Sequence, residues 1–326
     1  MRHSTTFLMS LIVASILVLM FLNLVLGSVS IPLKSVWNII CGLGDEPVTW
    51  QNIVWKSRLP QALTALVAGA GLAISGLQMQ TVFRNPLAGP SVLGISSGAS
   101  MGVAFVVLLS GSLGGVALSK LGFMGEIALS IAAVIGSLSV MALIVYVSQK
   151  VKGNVTLLII GVMIGYVANA VIGVLKFFSV EEDIRAYVIW GLGSFSRVSG
   201  NQMMLFVAIM AILIPLSFLL IKTLNLMLLG DGYARNLGLN IKRARLLVIT
   251  SAGVLTAIVT AYCGPVIFLG LAVPPLCRAI FQTSDHRVLM PAVLFAGAAL
   301  ALVCNLIARM PGFEGALPVN SVTALI

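Results

Sequence analysis

Residues 84–100 read RNPLAGPSVLGISSGAS, and this stretch decides how the rest of the chain is interpreted. Asn85-Pro86 and Gly89-Pro90 are dipeptides that form turns and end helices. A long apolar run lies on either side of them. Irregular backbone near the depth of a membrane is tolerated where protein buries it or where it lines a watery cavity. The stretch therefore predicts a turn beside such a cavity, in a protein that crosses a membrane.

The composition excludes a soluble globular protein. The chain has 326 residues, of which 60% are hydrophobic and 9% charged, and its mean hydropathy is +1.13. We predict an all-α polytopic membrane protein that forms a single membrane domain over 1–326, with no stretch long enough to fold as a second, soluble domain. We interpret the apolar run 8–26 as the first membrane helix, with a signal-anchor as the alternative, since it exceeds the apolar length of a signal peptide.

Apolar runs long enough to cross a bilayer recur along the sequence, because a helical crossing takes about 20 residues. They predict nine crossings, with a tenth beginning near Pro318. The tenth run stops at Ile326, short of a full span, so we expect an incomplete last helix. The nine runs are 8–26, 61–82, 92–111, 126–147, 155–178, 202–221, 246–262, 265–281 and 290–308.

The basic residues predict the orientation of the chain. Placing the N-terminus in the cytoplasm puts 11 of the 19 Lys and Arg residues, but two of the nine acidic residues, on the cytoplasmic side. An excess of Lys and Arg marks that side of a membrane protein. Five of these residues lie within 222–245. Anionic lipid and a cytoplasmic protein account for the net charge of +10, and no nucleic-acid partner is needed.

Several functional classes lack their signatures. The sequence contains no GxxxxGK[ST] phosphate-binding loop, and no acidic residue lies in the middle of an apolar run. Ion-coupled carriers usually place ionisable groups inside the membrane, so an ion-coupled secondary transporter or channel is the less favoured alternative. A membrane enzyme would need a catalytic cluster, and a scaffold would only assemble partners. The four cysteines have no histidines nearby, so we expect no metal site.

Small residues recur every four positions in the run 155–178, at Gly161, Gly165, Asn169 and Gly173. Such stripes let membrane helices approach closely. One interpretation is packing alone. The other places Asn169 on a pore or on a moving interface.

The segment 225–249 joins two of the predicted crossings. It contains a short helix-like stretch, Gly230–Leu237, then a turn at Gly238 and a basic run. Its leucines could fill a groove on a partner protein, or the segment could lie on the lipid surface. The leucines are Leu228, Leu229, Leu237 and Leu239.

The run 263–287 contains helix-breaking pairs at Gly264-Pro265 and Pro274-Pro275. These pairs predict either a simple kink or a short re-entrant helix at the mouth of a cavity.

Taken together, these stretches resemble the permease subunit of bacterial ABC importers for ferric siderophores, haem and cobalamin. The resemblance covers nearly the whole chain. Its marks are RLP at 58–60, GAGLAISGLQMQ at 69–80, RNPLAGPSVLGISSGAS at 84–100, LGDGYARNLGLN at 229–240, GPVIFLGLAVP at 264–274, SDHR at 284–287 and LPVNSVTALI at 317–326.

The resemblance implies a type II ABC importer permease of about ten helices in the bacterial cytoplasmic membrane. It implies a homodimer with the substrate path on the dimer axis, two ATPase subunits beneath it, and a periplasmic or lipoprotein substrate-binding protein above it. ATP and magnesium would be bound by the ATPases, and this chain would carry no cofactor. Coupling to the ATPases would fall to Gly230, Asp231, Ala234, Leu237 and Gly238.

The resemblance also assigns residues to the path and to docking. Asn85, Pro86 and Leu87 would form a gate at the cytoplasmic exit, although a rigid connecting loop is the alternative. Arg58 and Arg309 would pair outside with glutamates of the binding protein, mainly orienting and speeding its docking. We further expect Gln78, Gln80 and Asn169 to line the path.

Four positions depart from the family pattern. Gln61 stands where the family has a third arginine, Pro275 where it usually has His, Asn305 where it has Asp, and Asn320 where it often has Gly. The family's tenth helix also continues beyond Ile326. The sequence leaves open which bulky metal chelate would be carried.

Overall fold

The structure, a computed structural model, describes residues 2–112, 123–151, 153–198, 200–310 and 317–325. Lys120, Lys152 and Glu314, which entered the charge count, lie outside these ranges, as does Ile326. The helices are α1 (Arg2–Val25), α2 (Leu33–Cys41), α3 (Val48–Asn52), α4 (Leu59–Phe83), α5 (Ile95–Ser112), α6 (Phe123–Lys150), α7 (Asn154–Phe177), α8 (Glu181–Gly191), α9 (Gly200–Phe218), α10 (Ile221–Leu228), α11 (Asp231–Asn236), α12 (Ile241–Cys263), α13 (Phe268–Phe281), α14 (His286–Ala308) and α15 (Val319–Ala324).

The predicted all-α membrane architecture is confirmed. Within the described ranges, seven helices are long and apolar enough to cross a membrane, and two shorter apolar helices, Ile95–Leu109 and Phe268–Phe281, join them. These nine helices fall on the nine apolar runs. The short α15 follows at Val319–Ala324.

Helix α4 is the centre of the bundle. It continues from a π-helical turn, Ile53–Arg58, and Pro60 occupies its first turn, where no N–H partner is needed. From Ala68 to Phe83 every residue is buried. The helices α14, α12, α13 and α9 surround it. A helix that is apolar on all sides belongs in such a position.

Glycine pairs set how closely helices approach α4. A methyl group at Gly76 would overlap the carbonyl oxygen of Gly270 in α13, and one at Gly69 would overlap that of Gly297 in α14. In a membrane, such contacts between small residues supply the packing that holds helices together.

The small-residue stripe of α7 divides into two parts. Gly161 packs against the backbone of Leu93, and Gly165 lies beside Ser97. Gly173 has open space around it, and Asn169 is exposed. The first half of the stripe is therefore a packing surface, and the second half is an open face.

Two prolines inside α13 leave backbone carbonyls without helical partners. Pro274 and Pro275 have no N–H to donate to the carbonyls of Gly270 and Leu271, four residues earlier. The side chain of Gln80, in α4, donates to the Leu271 oxygen at 3.1 Å. The proline that stands in place of the family's His is thus accommodated by a neighbouring helix.

Two other departures form internal hydrogen bonds. Asn305 in α14 donates to Asn23 Oδ1 in α1 at 2.8 Å, and both side chains are buried. Asn320, at the start of α15, accepts a bond from the backbone N–H of Ile267 at 3.3 Å. These amides attach the first and last helices to the bundle.

Candidate translocation and coupling site

The stretch 84–94 forms a turn between α4 and α5. Arg84 ends the helix in the left-handed conformation, with φ 49°. Asn85 Oδ1 accepts a hydrogen bond from the N–H of Leu87 at 2.9 Å, which closes the turn. A 3-10 turn over Pro90–Leu93 then leads into α5. Leu87 is 71% exposed, so the tip of the turn faces outward.

Gln78 and Gln80, which we expected to line the path, are both buried inside the described chain. Gln78 is fully buried and donates to Ser251 Oγ at 3.1 Å. Gln80 is also buried and accepts a 2.7 Å bond from Arg278 Nη1 in addition to its bond with Leu271. Both glutamines connect α4 to its neighbours because α4 is enclosed on every side.

Asn169 lies on an open face instead. It is exposed together with its neighbours Tyr166, Val167 and Ala170 on α7. This location is compatible with a surface that faces either lipid, another copy of the chain or a path between copies.

The segment between α10 and α12 contains the predicted short helix. Gly230 precedes α11 with φ 99° and Gly238 follows it with φ 85°, in backbone conformations that side chains other than glycine rarely adopt. Ala234 is fully buried, so it anchors the helix to the bundle and does not belong to an exposed docking surface.

The outer side of this segment is apolar. The exposed fractions are 56% for Leu229, 73% for Tyr233 and 60% for Leu237. Leu239, in contrast, packs against the core. Sequence reasoning missed Tyr233, although its position four residues before Leu237 places the two side chains on the same side of the helical turn.

Asp231, in the first turn of α11, joins three helices. One carboxylate oxygen lies 2.5 Å from Arg84 Nη2, at the end of α4, and the other lies 3.4 Å from Arg245 Nη2, in α12. Arg84 also donates to the carbonyl of Met227, in α10, at 3.3 Å. The residues that contact Asp231 are 147 and 14 positions away in sequence, which is why its neighbours were not predicted.

A second polar chain lies beside it. Thr81 Oγ1 is 2.8 Å from His286 Nε2, and His286 Nδ1 is 2.8 Å from Asn225 Oδ1. Asn225 then donates to Asp285 at 2.6 Å. Asp285 also caps α14 by accepting the N–H of Arg287, and this bond is the main reason that its pKa lies below the ordinary value.

Arg58, at the opposite end of α4, is not exposed, which corrects the expectation of an accessible docking residue. It is 1% exposed, and its guanidinium donates to the carbonyls of Leu24, Val25 and Val29. It therefore holds the chain that leaves α1.

Arg309 lies beside Arg58, at the end of α14. Both guanidinium groups approach Gly27, and burial together with the charge of Arg58 lowers the pKa of Arg309 to about 10. Arg309 Nη1 has no hydrogen-bond partner among the described residues. Arg58 Nε also lacks a hydrogen-bond partner among the described residues, so both predicted docking arginines keep one donor unused.

Known proteins similar to this chain include one transport family and several import permeases. The FecCD transport family matches residues 15–326. The vitamin B12 import system permease protein BtuC of Klebsiella pneumoniae is 35% identical over 276 residues, covering 85% of this chain and 80% of that protein. The hemin transport system permease protein HmuU of Yersinia pestis is 33% identical over 303 residues, covering 92% and 86%.

One solved structure that is similar to this chain is a metal-chelate type ABC transporter in an inward-facing conformation. It matches with a TM-score of 0.83 and 26% identity, over 98% of this chain and 95% of that one.

Proposed function

Because this chain belongs to the FecCD transport family of ABC importer permeases, we propose that it forms the membrane path of an ATP-driven importer for a bulky metal chelate. Two copies would enclose the path, and two separate ATPase subunits would drive it. A substrate-binding protein would deliver the chelate from outside. The N-terminus and α11 would lie on the cytoplasmic side, as the distribution of basic residues favours.

The observation that carries this proposal is the exposed apolar surface of α11 and the residues that flank it. Leu229, Tyr233 and Leu237 leave large apolar surfaces uncovered on a segment that is fixed to the bundle by buried Ala234. An amphipathic helix of this kind fits a hydrophobic groove on a partner. We assign that groove to the ATPase, with the two flanking glycines setting the angle at which the helix is presented.

The path would run along the open face of α7. Asn169 and Gly173 lie on this face, and the turn at Asn85, Pro86 and Leu87 would close its inner end. The exposed Leu87 supports the gate, because its side chain is free to meet the same residue of a second copy. Neither Gln78 nor Gln80 takes part.

Docking of the binding protein is assigned to Arg309, with Arg58 holding the loop beside it. Arg309 is partly exposed, and a carboxylate of the binding protein would pair with its guanidinium, because charge-assisted hydrogen bonds of this kind are stronger than neutral ones. Arg58 would contribute positive charge from beneath the surface.

The names of the relatives, which specify vitamin B12 and hemin, support a proposal for the substrate class. We propose cobalamin, haem or a ferric siderophore. ATP and magnesium would be held by the ATPase subunits, with no cofactor in this chain.

The test is uptake into liposomes that contain the permease and its ATPase, with the binding protein and ATP supplied. Cobalamin, haem and a set of ferric siderophores serve as substrates. We expect one class to accumulate with a matching increase in ATP hydrolysis. Accumulation without an ATPase, driven by a proton or sodium gradient, would overturn the proposal and favour a secondary transporter.

A further inference from the structure

We propose that Arg84, Asp231 and Arg245 form a charge clamp that transmits the position of the coupling helix α11 to the gate turn 85–89. This inference rests on the proposed function and adds the residues that connect its two parts. The clamp residues are positioning residues, since they act through the turn and contact neither substrate nor ATP.

The clamp joins α11 to the gate turn 85–89, the two segments whose movements the proposal connects. Arg84 is covalently next to Asn85, the residue whose side chain closes the gate turn. Its guanidinium bonds to Asp231 in α11 at 2.5 Å and to the Met227 carbonyl in α10 at 3.3 Å. A displacement of α11 therefore reaches the gate turn through a single side chain.

The backbone of Arg84 supports a role for its side chain. It occupies the left-handed conformation, which favours glycine at the end of a helix. A glycine would close the helix with less strain, so the arginine retains its place through what its side chain contacts. Those contacts are with the segment that carries α11.

Arg245 gives the clamp a fixed side. Its residue is 8% exposed, and its guanidinium reaches Asp231 from α12 at 3.4 Å. Arg84 and Asp231 are more open, with side chains 44% and 39% exposed. Asp231 is thus attached to a buried guanidinium on one side and to a half-exposed one on the other.

This arrangement makes the clamp a transmission device more than a source of stability. Ion pairs between partly exposed side chains contribute little to folding. They still fix the relative positions of two segments when each carboxylate oxygen contacts a different arginine. A pull on α11 by the ATPase would draw Arg84 with it, and the turn at Pro86 and Leu87 would follow.

The experiment measures backbone hydrogen exchange in the gate turn, at the amides of Leu87, Ala88 and Gly89. The permease is held in lipid nanodiscs, alone and with its ATPase plus a non-hydrolysable ATP analogue. The variants are R84Q, D231N and the double variant R84Q/D231N. R243Q is the matched control, because Arg243 is exposed and lies two positions from Arg245 on the same helix.

For the permease alone, we expect R84Q and D231N each to raise exchange in the turn about fivefold, as local opening becomes easier. R243Q should match the wild type. The effects of the two substitutions should be less than multiplicative in the double variant, because both remove the contact between Arg84 and Asp231. Equal exchange in D231N and R243Q, or effects that multiply in the double variant, would overturn the clamp.

With the ATPase and the ATP analogue, exchange in the wild-type turn should change, and D231N should lose that change while still binding the ATPase. A purely structural role would leave the response to ATP intact, and such a result would also overturn the proposal. Failure of the wild-type permease to bind any ATPase would instead count against the proposed function, while exchange in the permease alone would still decide whether the clamp exists.

Discussion

The two ends of α4 use arginine in opposite ways. At one end, Arg84 and Arg245 share the carboxylate of Asp231, and a chain of hydrogen bonds runs beside them from Thr81 to Asp285. At the other end, Arg58 and Arg309 lie next to each other, and Arg58 donates its side-chain hydrogen bonds to backbone carbonyls.

The difference indicates which kind of contact each end of α4 favours, either within the chain or with a partner. Charges paired within the chain hold segments in register, and this suits the end that carries α11. Two neighbouring cations that repel each other suit an anionic partner. The lowered pKa of Arg309 records this repulsion together with the cost of burial.

The largest expected effect is on Arg58. R58L removes the donor for three carbonyls, and we expect a loss of about 3 kcal/mol of folding stability, since each bond to a charged donor is worth about 1.5–3 kcal/mol and the losses overlap. Thermal unfolding of the purified protein in detergent measures this loss. R309L is the matched variant and should lower the unfolding midpoint far less, while weakening capture of the binding protein. A larger loss of stability in R309L than in R58L would contradict the distinction between the two arginines.

An intermediate effect is expected at Gln80, where α4 meets the prolines of α13. Q80L leaves the Leu271 carbonyl and Arg278 without their partner, and we expect about 1–3 kcal/mol of destabilisation, also from thermal unfolding. Q78L is the control, because Gln78 makes one side-chain bond and its Oε1 has no hydrogen-bond partner among the described residues. If Q78L destabilised the protein as much as Q80L, the compensation of Pro275 by Gln80 would be refuted.

The smallest effect concerns Asp285. D285A removes the cap of α14, and we expect a loss of about 1 kcal/mol at neutral pH. Because hydrogen bonds lower the pKa of this carboxyl, its contribution is present above about pH 4, the ordinary value for Asp, and is lost as pH falls through the folded-state pKa. The gap in unfolding midpoint between D285A and the wild type should therefore narrow in acid. A gap that widened as the pH fell would exclude a charged cap.

Sequence reasoning located the nine apolar helices and the short helix of the coupling segment. It succeeded there because the signals are local: about 20 apolar residues for each crossing, and glycines at both ends of α11. The turn at Asn85 was equally readable from its prolines.

It failed where orientation depends on distant residues. Helix α4 is apolar on all sides, so nothing in its sequence shows which way Gln78 and Gln80 point. The Leu271 carbonyl that receives Gln80 is 191 positions away. Arg58 was expected at a docking surface because the family resemblance implies it, yet its side chain turns back to carbonyls about 30 positions earlier in the chain. These outcomes depend on packing between helices, which a local pattern does not encode.

The most direct test of the central claim is capture of the ATPase by the permease in detergent, comparing L237D with the wild type. Leu237 is exposed on the apolar side of α11, so a charge there should leave the fold intact. We predict that the wild type and R243Q retain the ATPase and that L237D loses at least about tenfold in affinity, as expected when a charge is buried in a hydrophobic groove. Equal capture by L237D and the wild type, with both proteins folded, would contradict the assignment of α11 as the coupling helix.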